Sequence, residues 1–196
     1  MTTPSPAPVP VPAPETLVDE AAIGELVQRL ATEIAADHPD GVVLVGVLRG
    51  ALIFLADLAR AIRDIPVEVD FIAISRYAPD SGRVRILHDV ALELEGRDVV
   101  LVEDLVDTGL TLGYLLEHVR SQRPRSVEVC ALLDRPTRRI LPVGVRYVGV
   151  EIPDVFVLGY GLHRADLYRN LPRIVAADRD VVRVQPDAYV DVLYGA

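Results

Sequence analysis

The chain of 196 residues contains no lysine and no tryptophan, and only one cysteine (Cys130), one methionine and one asparagine (Asn170). All 20 basic residues are therefore Arg, where ordinary usage would supply on the order of ten Lys. Lys and Asn are both read from A-rich codons, and a GC-rich genome accounts for both shortages. A lone Cys excludes an internal disulfide and a Cys-built metal site. Set in the apolar run VEVCALL, with no His near it in sequence, Cys130 reads as a buried structural thiol rather than a nucleophile. Scarce cysteine points to the cytoplasm. Long apolar runs are missing too. Stretches such as GVVLVGVL (41–48) fall far short of the roughly 18 residues that span a bilayer, so no membrane association is expected. No basic region followed by an apolar stretch opens the chain, so no signal peptide is expected. Positive charge is also short. The net charge is −9, which argues against nucleic acid as a partner, since sequence-independent binding needs clustered cations.

What is present is ordinary for a globular protein: 51% apolar and 25% charged residues, which rules out wholesale disorder, collagen and coiled coil. Residues 1–15 carry a proline at every second position from Pro4 to Pro14 and are expected to be a disordered Pro-rich tail, either a docking peptide or a dispensable solvated segment. Residues 16–180 are expected to form one domain, and 181–196 a C-terminal extension in which 186–194 could make a short helix. Ile23, Leu26, Leu30 and Ile34 recur at helical spacing. The run 42–48 fits a strand buried on both faces. Leu52, Leu55, Leu58 and Ile62 mark a second helix, and Val67, Val69, Phe71 and Ala73 an alternating strand. Residues 77–83 (YAPDSGR) have turn chemistry. Strands at 99–102 and 127–133 bracket a helix marked by Leu112, Leu115, Leu116 and Val119, and short strands near 146–150 and 155–158 follow. This order predicts an α/β fold with a parallel sheet core flanked by helices.

The segment 99–111, VVLVEDLVDTGLT, carries the chemistry. Its strand is expected to end in Glu103 and Asp104, with a seven-residue loop before a helix opens at about Leu110 or Thr111. Ligands of open α/β sheets bind beyond the carboxyl ends of the strands. Asp107, Thr108, Gly109 and Thr111 stand where the helix begins. Unpaired amides, hydroxyls and a glycine there make an anion cradle, and the absence of G-K-[ST] excludes a Walker loop. Adjacent carboxylates can accept hydrogen bonds from a diol or hold hydrated Mg²⁺. Together these groups suit a sugar phosphate with free hydroxyls. Simple helix capping with solvated acids would explain one acid or one Thr, not the cluster.

This segment closely resembles the phosphoribosyl-pyrophosphate motif of the type I phosphoribosyltransferases. Most of the chain, from about Glu15 to Ala177, resembles the hypoxanthine-guanine phosphoribosyltransferases. VLRGALIFLADL (47–58) is similar to their pyrophosphate loop, and ISRYAPDSGRVRI (74–86) to their mobile lid. LLDRPTRR (132–139) and EIPDVFVLGYGLHRADLYRNLP (151–172) are similar to their purine-binding segments. The resemblance implies a type I phosphoribosyltransferase fold with a small hood built from the chain ends. It also implies a Mg²⁺-dependent pentosyltransferase of purine salvage, acting as a homodimer or homotetramer. Its substrates would be phosphoribosyl pyrophosphate and a purine base. By the same resemblance, Thr108, Gly109, Leu110 and Thr111 hold the 5′-phosphate. Glu103 and Asp104 take the ribose hydroxyls near Mg²⁺, and Asp107 is the acid/base group facing N7. Arg49, Gly50 and Arg169 contact pyrophosphate. Phe156 stacks on the base and Val157 meets it through its backbone.

Three positions depart from the family pattern. Arg135 stands where a Lys is usual, and its fork can reach O6 and N7 of a 6-oxopurine; the competing reading is a solvated strand-end charge. In the lid, Arg76 separates Ser75 from Tyr77, which the family places side by side. His163 replaces an Asp that supports a second Mg²⁺, and imidazole is a poor ligand for that hard cation. That exchange implies a weakened second metal site, a changed substrate or lost catalysis. The rival functions are a paralogue acting on another base such as xanthine, and a catalytically weak ligand-sensing regulator.

Overall fold

The computed structural model describes residues 12–75 and 85–195. The greater part of the Pro-rich tail, all of the turn segment 77–83, and Arg76 lie outside the described residues. The elements in chain order are β1 (Glu15–Val18), α1 (Glu20–Asp37), β2 (Val42–Leu48), α2 (Leu52–Ala61), β3 (Val67–Ser75), β4 (Arg85–His88), β5 (Asp98–Val106), α3 (Leu110–Ser121), β6 (Ser126–Asp134), β7 (Tyr147–Glu151), β8 (Phe156–Leu158), β9 (Ile174–Ala177), α4 (Arg179–Val184) and α5 (Val190–Tyr194).

Six strands form the main sheet in the order β4-β3-β2-β5-β6-β7. All neighbours are parallel except the β3–β4 edge pair. The apolar runs are continuous because helices cover both faces. Leu44, Val100, Val102, Cys130 and Leu132 face one way, onto Leu30 and Ile34 of α1 and Phe54, Leu55 and Leu58 of α2. Val43, Val45, Val99, Leu101 and Val129 face the other way, onto Leu112, Leu115, Leu116 and Val119 of α3. Each fully buried Leu or Phe contributes about 1.5–3 kcal/mol. Cys130 is wholly buried, and burial pushes its thiol far above its ordinary pKa, as a structural cysteine requires.

The chain leaves β2 through α2 to β3 on one side, then returns to place β5 on the other side of β2. That reversal opens a crevice at the carboxyl ends of β2 and β5. A second sheet, β1-β9-β8, is antiparallel. It is a small hood that joins the two ends of the chain. A third apolar cluster, with Leu158, Tyr168, Leu171, Val175, Val182 and Tyr189, packs beneath it. Residues of the C-terminal extension belong to this cluster. The Tyr168 hydroxyl donates to the Pro186 carbonyl (2.9 Å) and accepts from the Tyr189 amide (3.2 Å).

Two boundaries differ from the sequence expectation. β5 runs on to Val106, so the segment before α3 is Asp107–Thr108–Gly109 rather than seven residues long. Leu105 and Val106 keep pairing with Leu133 and Asp134 of β6, as Glu103 does with Ala131. The terminal helix is confined to Val190–Tyr194.

Candidate active site

At the β2–β5 crevice two adjoining clefts open, of about 690 Å³ and 630 Å³, each within the usual range of small-molecule sites. The first is lined by Arg49, Gly50, Glu103, Asp104, His163, Asp166 and Arg169. The second is lined by Leu110, Arg135, Arg138, Phe156, Val157 and Arg179. Ser75, Asp104, Asp107, Thr108, Thr111 and His163 border both. Every described site residue singled out in the sequence except Leu110, Arg135, Phe156 and Val157 thus lines the first cleft, and those four line the second. Arg76 and Tyr77 lie outside the described residues.

The loop from β5 to α3 is built for an anion. Gly109 is the N-cap of α3 with φ +81° and makes no side-chain capping bond. The left-handed backbone there needs glycine, and a Cβ would run into the Leu141 carbonyl and Arg139 Cδ. The helix therefore presents its first amides to the cleft with the positive end of its dipole. A following segment braces the loop. The Ile140 and Leu141 amides donate to the Thr108 carbonyl (2.9 and 3.0 Å). Arg139 donates through Nε to the Asp107 carbonyl (3.0 Å) and is ion-paired with Asp134.

Opposite stands the turn after β2. The Leu48–Arg49 peptide is cis. A Cβ on Gly50 would collide with the Asp104 carboxylate, so glycine is what lets this turn approach β5. Glu103 is buried and Asp104 half-buried; Asp104 accepts from the Leu105 amide (2.9 Å). Two oxygen donors of this kind suit Mg²⁺ shared with phosphate oxygens, which seldom uses an all-protein cage. No group of three or more His, Cys, Asp or Glu fit to hold a metal occurs among the described residues.

On the second cleft's side, Arg135 is 3% exposed, so it is not a solvated strand-end charge. Its Nη2 donates to the Val155 carbonyl (2.6 Å) and its Nη1 lies 3.4 Å from Asp107 Oδ2. Burial lowers its pKa. Arg138, which the sequence reading did not single out, puts Nε 3.5 Å from Asp107 Oδ1 and Nη1 3.6 Å from Asp154. Asp107 thus stands between two guanidiniums, while its buried Oδ1 has no hydrogen-bond partner among the described residues.

Asp166 is the other residue missed. Its Oδ1 accepts from Arg49 Nη2 (2.6 Å) and Arg169 Nη2 (3.0 Å). The Arg169 and Arg49 guanidiniums hold its carboxyl below the usual range. His163 accepts through Nδ1 from the Asp166 amide (3.0 Å), which leaves the proton of a neutral ring on Nε2. No sequence signal marked Asp166, because its reach depends on positive φ at Ala165 (48°) and Asp166 (64°).

A parallel-sheet crevice with an anion cradle at the end of β5, Arg49 after β2 and Arg169 brought in from the segment between β8 and β9 defines a class that handles phosphorylated sugars. The family model described as a phosphoribosyl transferase domain matches residues 15–164. The hypoxanthine-guanine phosphoribosyltransferase of Bacillus subtilis is 42% identical over 164 residues, covering 82% of this chain and 91% of its own. The hypoxanthine phosphoribosyltransferase of Salmonella typhimurium is 40% identical over 166 residues, covering 82% and 93%. A crystal structure of a Bacillus anthracis hypoxanthine-guanine phosphoribosyltransferase superposes with a TM-score of 0.81 at 38% identity, covering 85% of this chain and 100% of that one. The chain belongs to the phosphoribosyltransferases and, within them, to the hypoxanthine-guanine phosphoribosyltransferase family. No helix among the described residues is long and apolar enough to cross a membrane.

Proposed function

We propose that this chain transfers ribose 5-phosphate from phosphoribosyl pyrophosphate to N9 of a 6-oxopurine, hypoxanthine or guanine, releasing pyrophosphate in purine salvage. The observation that carries this reading is the meeting of the Glu103–Asp104 carboxylates, the open N-terminus of α3 and Arg49 with Arg169 around one cleft. The Thr108 and Thr111 hydroxyls and the loop amides of Gly109 and Leu110 would bind the 5′-phosphate. Glu103 and Asp104 would accept from the ribose 2′- and 3′-hydroxyls and stabilise positive charge as the ribose becomes oxocarbenium-like. Glu103 and Asp104 would also hold Mg²⁺, which when bound supplies positive charge against that of the leaving pyrophosphate. Arg49, Gly50 and Arg169 would take that group through charge-assisted bonds and backbone approach. Asp107 would accept or return the purine proton at N7, and Arg135 would donate to the 6-oxo edge. Phe156 would stack on the ring while the backbone of Val157 meets its edge. Ser75 with Arg76 and Tyr77 would close over the cleft to exclude water.

Residues 16–180 would carry this activity, with 1–15 a tail and 181–196 an extension, in a cytoplasmic homodimer or homotetramer. The test is incubation with phosphoribosyl pyrophosphate, Mg²⁺ and each base in turn. Nucleotide should form with hypoxanthine or guanine. Turnover of xanthine alone would favour the paralogue, and tight binding of phosphoribosyl pyrophosphate with no turnover of any base would favour a regulator.

A further inference from the structure

The two arginines assigned to pyrophosphate are already engaged. Both direct an Nη2 to the same oxygen, Asp166 Oδ1, at 2.6 and 3.0 Å. Arg169 is steadied by a second bond, from Nη1 to the Gly161 carbonyl (2.6 Å). Its Nε lies on the same edge of the guanidinium as Nη2. That atom is buried and has no hydrogen-bond partner among the described residues. The edge on which a phosphoryl group binds bidentately is thus half used by a single carboxylate. Asp166 reaches this position from a left-handed pair, Ala165 and Asp166, a conformation that Asp tolerates better than most residues. Its ring neighbour His163 is 3.6 Å away through Nδ1 and, accepting from the Asp166 amide, fixes the turn that carries the carboxylate.

We propose that Asp166 is an internal competitor for the pyrophosphate group. It satisfies Arg49 and Arg169 in the free protein and must give up both guanidiniums when the diphosphate arrives. This rests on the transferase reading above. A diphosphate offers several anionic oxygens against the one shared oxygen of Asp166, so the exchange favours substrate. The competitor sets how tightly the group is held and how readily pyrophosphate leaves. Exposure is what keeps the exchange easy. Arg49 and Asp166 are more than half exposed, and pairs of that kind are weak and salt-screened.

The test is calorimetric binding of inorganic pyrophosphate with Mg²⁺ to the full chain and to Asp166→Asn, Asp166→Ala and Asp166→Glu. Removing two ion pairs to one exposed carboxylate predicts roughly threefold to tenfold tighter binding for the Asn and Ala variants. The gain should shrink as ionic strength rises, and the Glu variant should stay close to the parent. Unchanged or weaker binding by both neutral variants overturns the proposal. Binding of inosine 5′-monophosphate, whose phosphate would lie at the α3 cradle, is measured on every variant. Its retention shows that a neutral variant is folded. Should one variant lose it, the other decides. Failure of the parent chain itself to bind this nucleotide would count against the transferase reading instead, leaving the pyrophosphate comparison to decide the role of Asp166.

Discussion

Asp107→Asn separates chemistry from architecture. The Asp107 side chain is about one-third exposed and stands 3.4 Å from Arg135 Nη1 and 3.5 Å from Arg138 Nε. Asn keeps its shape and loses its charge. The contact with part-exposed Arg138 is worth about 0.2–1 kcal/mol, and buried Arg135 loses a charged partner but keeps its bond to the Val155 carbonyl, which puts the stability loss at about 1–2 kcal/mol, a few degrees in Tm for a chain of this size. The loop keeps its braces, since Arg139 and the 140–141 amides grip the carbonyls of Asp107 and Thr108 rather than the side chain. Loss of a positioned acid/base group costs about 10²–10⁴ in rate, or about 3–5 kcal/mol at the transition state. The expected signature is therefore a kcat lowered at least a hundredfold, a KM for phosphoribosyl pyrophosphate within about threefold, and a Tm within a few degrees. The assay is steady-state nucleotide formation from hypoxanthine and from guanine at saturating phosphoribosyl pyrophosphate, beside a calorimetric melt. A kcat within threefold of the parent would refute the proton-transfer role, whatever the melt shows.

Gly109→Ala places a Cβ against the Leu141 carbonyl at φ +81°; it should cost about 1–2 kcal/mol from the backbone alone and raise the KM for phosphoribosyl pyrophosphate, and an unchanged KM would show that the cradle does not need this backbone. Arg135→Met removes the bond to Val155 and the charge beside Asp107. A hydrogen bond from a charged group is worth about 1.5–3 kcal/mol, so the KM for the base should rise tenfold or more with that for phosphoribosyl pyrophosphate little changed, and the reverse pattern would remove Arg135 from the purine side. Asp98 accepts from Arg125 Nε (2.9 Å) and the Ser126 hydroxyl (2.7 Å), and Arg125 above all holds its carboxyl far below the ordinary range. A depressed folded pKa means stability that is present above the unfolded value of about 4 and lost as pH falls toward the folded one. Asp98→Asn should therefore lower the urea midpoint at pH 7, with the gap from the parent closing below about pH 4; a gap that stays constant with pH would count against the ion pair.

The central elements were legible because they are buried on both faces or one stripe. The run at Val42–Leu48 and the helical spacing of Leu52, Leu55 and Leu58 mark β2 and α2 without help from distant partners. The end of β5 was not legible, since Leu105 and Val106, past the two acids, look like a loop until the β6 ladder beside them is seen. β1, β4 and β9 are four-residue edge or hood strands, and only their pairing makes them strands. The cluster 103–111 announced itself because phosphate chemistry there is local in sequence. Arg138 did not, because the Asp107 it meets is far away in sequence, and Asp166 did not, because its hold on Arg49 depends on a left-handed turn.

The hood has a consequence for how the molecule is made. Glu15 pairs with Ala176, so β1 must wait for β9, which is synthesised far later. The β2–β5–β6 ladder and its braced phosphate cradle need only residues up to about Leu141, whereas the wall formed by Phe156 and Val157 leans on β9. Because pairing between distant segments comes late in folding, a growing chain would acquire its hold on the sugar phosphate before it has anywhere to seat a base.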